Sequence, residues 1–275
     1  MSSKTFAGLA AAAAVLAGAA FGSAPVGAAG QQDANSAFTV AVYGDAPYGT
    51  KPSDHAEFDA TPAFINSVNA DSSVSTVIHV GDIHSGKQFC TEAYDRSIYQ
   101  LWTAYTKPVV YTPGDNEWTD CHKAGEGGGS YDPATGEINY VQDPATNQPV
   151  DYAKGNPVAN LDLIRSIFFA QPGHTLGSGT LNVVSQANAY DPHHPADAQY
   201  VENVMWVHNG VVFVTINNPG GSSNDADPWY GGAVRVRGTE PGGRAASAGR
   251  SALAPLGVRH GHGGRRRECG HPPAS

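Results

Sequence analysis

Three stretches of this chain repeat one pattern. FTVAVYGD (38–45), STVIHVGD (75–82) and PVVYTPGD (108–115) are each a short apolar, β-branched run that stops at Gly-Asp. Such runs, bounded by turn residues, read as buried strands. Between the first two, residues 54–69 hold Phe58, Ile65 and Val68, joined by Phe64, at helical spacing; between the second and third, TEAYDRSIYQLWTAYTK (91–107) is amphipathic with the same period. Pro62 is expected in the first turn of the first helix. The β-α-β-α-β order predicts parallel strands with helices packed on the sheet, an α/β fold.

In such a sheet the carboxyl ends of the strands share one edge, where ligands commonly bind. That edge would receive Asp45, Asp82 and Asp115. Each Gly-Asp taken alone is an ordinary turn. Repeated at three strand ends, the carboxylates would repel one another unless a cation sat between them. The preceding glycines, Gly44, Gly81 and Gly114, lack a Cβ and permit a sharp turn and close backbone approach around an ion. All-oxygen donors suit Mg, Mn or Ca.

Motif by motif, the chain resembles the calcineurin-like metallophosphoesterase family, in its secreted bacterial form, over about residues 37–230. Asp45-Ala46-Pro47 matches Asp-x-His in part, Gly81-Asp82-Ile83-His84 matches Gly-Asp-x-x, and Gly114-Asp115-Asn116-Glu117 stands where the family has Gly-Asn-His-Asp/Glu. The resemblance implies a β-sandwich flanked by helices (α/β/β/α), here with its C-terminal strands expected to be missing. It also implies two divalent metal ions (Mn, Fe, Zn or Mg) that activate a water to hydrolyse a phosphate-ester substrate. On that resemblance Asp45 binds the first metal, Asp82 bridges both, and Asp115 takes the second. Asn116 occupies the place of the proton-donating His. His84 reads either as a group aimed into the site or as an exposed loop histidine. Pro47 cannot replace a ligand His and Asn116 cannot act as a general acid, so weak metal binding and poor hydrolysis are expected. The alternative is a non-catalytic product of such a gene, degenerate or truncated, or a cell-surface binding module.

The ends of the chain differ from its middle. Lys4, the uncharged Ala-rich run of residues 6–21 and Val26-Gly27-Ala28-Ala29 have the order of a secretory signal peptide, assigned to residues 1–29. This predicts a secreted or cell-envelope protein, with no transmembrane segment after cleavage. In an oxidising compartment Cys90 and Cys121 are expected to pair, leaving Cys269 over. Residues 1–230 carry eight cations against 23 acids, net −15, whereas residues 231–275 carry eight Arg against two Glu, +6. The acidic body points to no nucleic-acid partner, and the sequence is silent on oligomeric state. The segment from 231 to 275 has eleven Gly and no Phe, Tyr, Trp, Ile, Met, Asn, Asp or Lys. It reads as a basic disordered tail or as sequence out of frame, and the loss of residues with AT-rich codons favours the second. His260-Gly261-His262 lies there with Arg259 where the family has Gly and with no strand before it.

Four smaller features complete the reading. His79, inside the second strand, is expected in the core. His193-His194 reads as a surface loop, and residues 119–158, rich in Gly, Pro, Asp and Asn, as a lid or floppy insertion. Asn217-Asn218 ends a further strand within residues 210–225 and either faces the aspartate edge or makes a turn.

Overall fold

The computed structural model describes residues 37–49, 51 and 53–218. The leader, the 231–275 tail, Cys269, His260 and His262 lie outside the described residues. In chain order the regular elements are β1 (Thr39–Tyr43), α1 (Ala56–Ala70), β2 (Val74–His79), α2 (Glu92–Trp102), β3 (Val109–Tyr111), β4 (Gly129–Asp132), β5 (Glu137–Tyr140), α3 (Pro157–Phe168), β6 (Val184–Ser185), β7 (Val204–His208) and β8 (Val211–Thr215), with short 3-10 turns between some of them.

The three Gly-Asp runs form one parallel sheet in the order β1-β2-β3, with Tyr43, His79 and Tyr111 in register. The β-branched residues of β2 and β3 point alternately to two covered faces, as strands buried on both sides do, whereas Val42 on the edge strand β1 is exposed. One face, with Val77, Val109 and Tyr111, packs on the helices through Ile65, Ile98, Trp102, Ile164 and Phe168. The other presents Ile78 and Val110 to Val204 and Trp206 of β7. β6, β7 and β8 make an antiparallel sheet, where Trp206 stacks on Phe213 at 4.9 Å. The expected sandwich is therefore present, with helices over its parallel sheet. The outer face of the antiparallel sheet carries Val184, Val207, Val212 and Val214, all exposed, and a second helical layer is not among the described residues.

Two expectations need correction. Pro62 lies inside α1, which starts at Ala56. A proline there has no N–H for the carbonyl four residues back, and the preceding Thr61 hydroxyl donates to the Glu57 carbonyl at 2.8 Å. The 119–158 insertion is not structureless, because β4 and β5 pair antiparallel across a loop in which Gly136 takes φ 76°.

α3 is tied to the second sheet by charge. The Arg165 guanidinium forks onto Glu202, Nε to Oε2 at 2.9 Å and Nη2 to Oε1 at 2.7 Å, with Glu202 fully buried. Asn217 joins this network instead of the aspartate edge: its Nδ2 donates to Glu202 Oε1 at 3.2 Å and its backbone N–H to Asn203 Oδ1 at 2.8 Å.

Candidate metal centre

The three strand ends touch side by side, and glycine makes that possible. A Cβ on Gly44 would stand 2.7 Å from Val80 Cγ2, one on Gly81 would stand 2.6 Å from the Gly114 nitrogen, and one on Gly114 would overlap Asp82 Oδ1. The close approach that glycine permits is thus between neighbouring strand ends. Asp45 and Asp82 both take left-handed backbone, φ 54° and 56°, which is uncommon for residues with a side chain. Surrounding bonds hold them there. The Asp45 N–H donates to the Gly81 carbonyl at 3.1 Å, Gly81 N–H donates to His79 Nδ1 at 3.2 Å, and His79 Nε2–H donates to the Ala46 carbonyl at 2.9 Å. His79 is fully buried and its pKa is lowered to about 4 by desolvation. It is the core residue the sequence suggested, neutral and with both nitrogens committed.

Asp82 sits at the end of the central strand and carries the strongest electrostatic signature of the edge. Burial pushes its pKa up to about 7, helped by the Glu117, Asp115 and Asp45 carboxylates and opposed by the Asn116 N–H. Its Oδ1 is buried and finds no hydrogen-bond partner among the described residues. Asp45 Oδ1 accepts from the Tyr48 hydroxyl at 2.9 Å. Glu117 braces the third turn from below, its Oε1 accepting from the Tyr111 hydroxyl at 2.6 Å and from Gly114 N–H at 2.7 Å. Among the described residues its Oε2 is buried without a partner, as is Oε2 of Glu126. Glu126 is 1 % exposed, and its pKa is raised to about 9 by burial, then by Asp120, Asp115 and Asp82.

The remaining candidates lie between the strand-end loops and on the surface. His84 is not an exposed loop histidine: it is fully buried, with Nε2 2.7 Å from Asp95 Oδ1 on α2 and the Tyr94 ring against it at 4.7 Å. Asn116 spends its Nδ2 on the His84 carbonyl at 3.1 Å. Together they lace the second strand-end loop to the third. His193 and His194 are exposed, as expected of a surface loop.

Cys90 and Cys121 form a disulfide with Cα atoms 5.8 Å apart, stapling the chain after Asp82 to the chain after Asp115. The bridge closes a separation of 31 residues, for which chain entropy gives about 3 to 4 kcal/mol. The Cys90→Ser/Cys121→Ser double variant should therefore melt about 10 °C lower. An unchanged melting temperature in calorimetry would show that the bridge does not form in the protein as made.

The donor chemistry fits a hard divalent cation: among the described residues the edge offers carboxylates, with buried oxygens on Asp82, Glu117 and Glu126 that find no hydrogen-bond partner there. The shell is not closed, since no group of three or more His, Cys, Asp and Glu among the described residues is arranged to hold a metal ion. The unbalanced charge has a measurable consequence. For Asp82 and Glu126 the folded pKa values, about 7 and about 9, lie above the usual carboxylate values. The folded state therefore binds more protons than the unfolded one, and stability present below pH 4 is lost as the pH rises through 7 and 9. Chelator-treated protein should melt roughly 5 °C or more lower at pH 8 than at pH 5. A melting temperature that rises over this interval would contradict the assigned burial.

The βαβαβ half-sandwich brings these carboxylates to the carboxyl edge of its sheet, where open α/β sheets bind ligands. The family model for calcineurin-like phosphoesterases matches residues 38–242, and the chain belongs to that family. Its match runs past residue 230, where the composition changes. No curated protein and no solved structure matches the chain.

Proposed function

We propose that the chain is an exported phosphoester hydrolase that works with two divalent cations on the edge formed by Asp45, Asp82 and Asp115. The family supplies the coarse activity, metal-dependent hydrolysis of phosphate esters. The observation that carries the finer reading is Asp82: a buried carboxylate oxygen, without a partner among the described residues, at the centre of three touching strand ends. Asp45 and Asp82 would share one ion, Asp82 and Asp115 the other, and the ions would supply the charge that acidifies a water and neutralises phosphoryl oxygens. The chain's own groups do the positioning. The Tyr48 hydroxyl fixes Asp45, the Asn116 N–H restrains Asp82, and Glu117 holds the Gly114 turn. Asn116 has no proton to give, so protonation of the leaving group falls to solvent and turnover is slow. The Cys90–Cys121 bridge supports an oxidising compartment, reached through the signal segment 1–29.

One observation favours a second reading, an incomplete, non-catalytic copy of the domain: the exposed valines on the outer face of the second sheet. Hydrolysis of 4-nitrophenyl phosphate and bis(4-nitrophenyl) phosphate separates the two. The catalytic reading expects turnover that a chelator removes and Mn²⁺ restores. No turnover with Mn²⁺, Zn²⁺, Fe²⁺ or Mg²⁺ would leave the incomplete copy.

A further inference from the structure

Beside the aspartate edge, between the chain that follows β1 and the first turns of α1, lies a pocket of about 270 Å³. Its walls are apolar: the rings of Tyr43 and Phe64, meeting edge-on at 5.1 Å, with Ala46, Pro47 and Ala60. Phe64 is 43 % exposed, a large ring one residue before the fully buried Ile65. The Tyr43 hydroxyl is engaged by Tyr105 at 3.0 Å, so the pocket meets an aromatic surface whose polar end is already satisfied. Among the described residues Glu57 is the one charged residue that lines it. An apolar cavity of roughly 150 Å³ is enough for benzene, and this one has room for a substituted ring.

The pocket is continuous with the strand ends. Gly44 and Ala46, which flank Asp45 in the chain, both line it. Tyr48, bonded to Asp45, feels the charges of Asp45, Asp82 and Glu57 together. A group seated in the pocket therefore lies against the chain on either side of Asp45.

We infer that this pocket is the subsite for the alcohol portion of the phosphate ester, and that it takes an apolar, ring-sized group that is neutral or cationic. The inference rests on the phosphoesterase reading for its substrate and on the pocket alone for its selectivity. Aromatic walls hold a ring by stacking and favour a cation over their faces. Glu57 adds attraction for an ammonium and repulsion for a carboxylate.

The test measures binding of three free alcohols, phenol, tyramine and 4-hydroxybenzoate, to the full chain after chelation, by ligand-observed NMR titration. The expected order is tyramine, phenol, 4-hydroxybenzoate, with tyramine about fivefold tighter than the benzoate. Glu57→Gln should remove the advantage of tyramine over phenol, Phe64→Ala should weaken both alike, and Ala60→Phe, at an exposed helix position, should block all three. Benzoate binding as tightly as tyramine, or binding that survives both Ala60→Phe and Phe64→Ala, would overturn the assignment. Because no metal and no turnover are involved, that failure is separate from failure of the phosphoesterase reading, which chelator-sensitive hydrolysis decides.

Discussion

Replacing Asp82 by Asn is expected to lower metal-dependent hydrolysis by about two orders of magnitude or more, because one side chain serves both cations in the proposed arrangement. The same change should make the metal-free protein more stable. The carboxylate is held up to about pKa 7 by burial and by three neighbouring acids, so at neutral pH its ionised form opposes folding. Asn removes the charge and keeps the shape. Asp82 is only half-buried, and solvent screening holds the gain to about 1 kcal/mol, or about 2 to 4 °C in melting temperature. Loss of activity with gain of apo stability separates a functional carboxylate from a structural one. Loss of both would mean that Asp82 supports the turn and nothing more.

Arg165→Leu is expected to cost about 3 to 5 kcal/mol, since it leaves Glu202 charged and buried without its forked partner. The pair spans from α3 to the chain entering β7, and Asn217 leans on the same carboxylate. Its loss should loosen the second sheet while leaving the aspartate edge, which lies on the first. Urea unfolding gives the magnitude. The double variant Arg165→Leu/Glu202→Leu should recover much of the loss, because an apolar pair of similar volume carries no buried charge. A double variant no more stable than the single one would locate the cost in packing.

The parallel sheet was legible because periodicity and turn chemistry are local properties. The apolar runs, the helical spacing of Phe58, Ile65 and Val68, and the Gly-Asp endings needed no tertiary information. Cys90 and Cys121 were legible from compartment and position. The burial of His84 was not: two residues past Asp82 it looks like a site residue or a loop residue, and only α2, bringing Asp95 to 2.7 Å, takes it out of the solvent-exposed class. Glu126 gave no signal, as a lone acid in AGEGGG, because its burial depends on the insertion folding back across the loop after Asp82. Tyr48 was missed because its contact with Asp45 depends on the path the chain takes after β1. Pro62 misled because proline is commoner in a first turn than inside a helix.

Cation binding by the three Gly-Asp strand ends can be measured by titrating chelator-stripped full chain with Mn²⁺ and counting free ions by electron paramagnetic resonance. The expected result is about two bound ions per chain, loss of one in Asp45→Asn and in Asp115→Asn, and loss of both in Asp82→Asn. Mn²⁺ binding that is unchanged in Asp82→Asn, or absent from the unsubstituted chain, would contradict it.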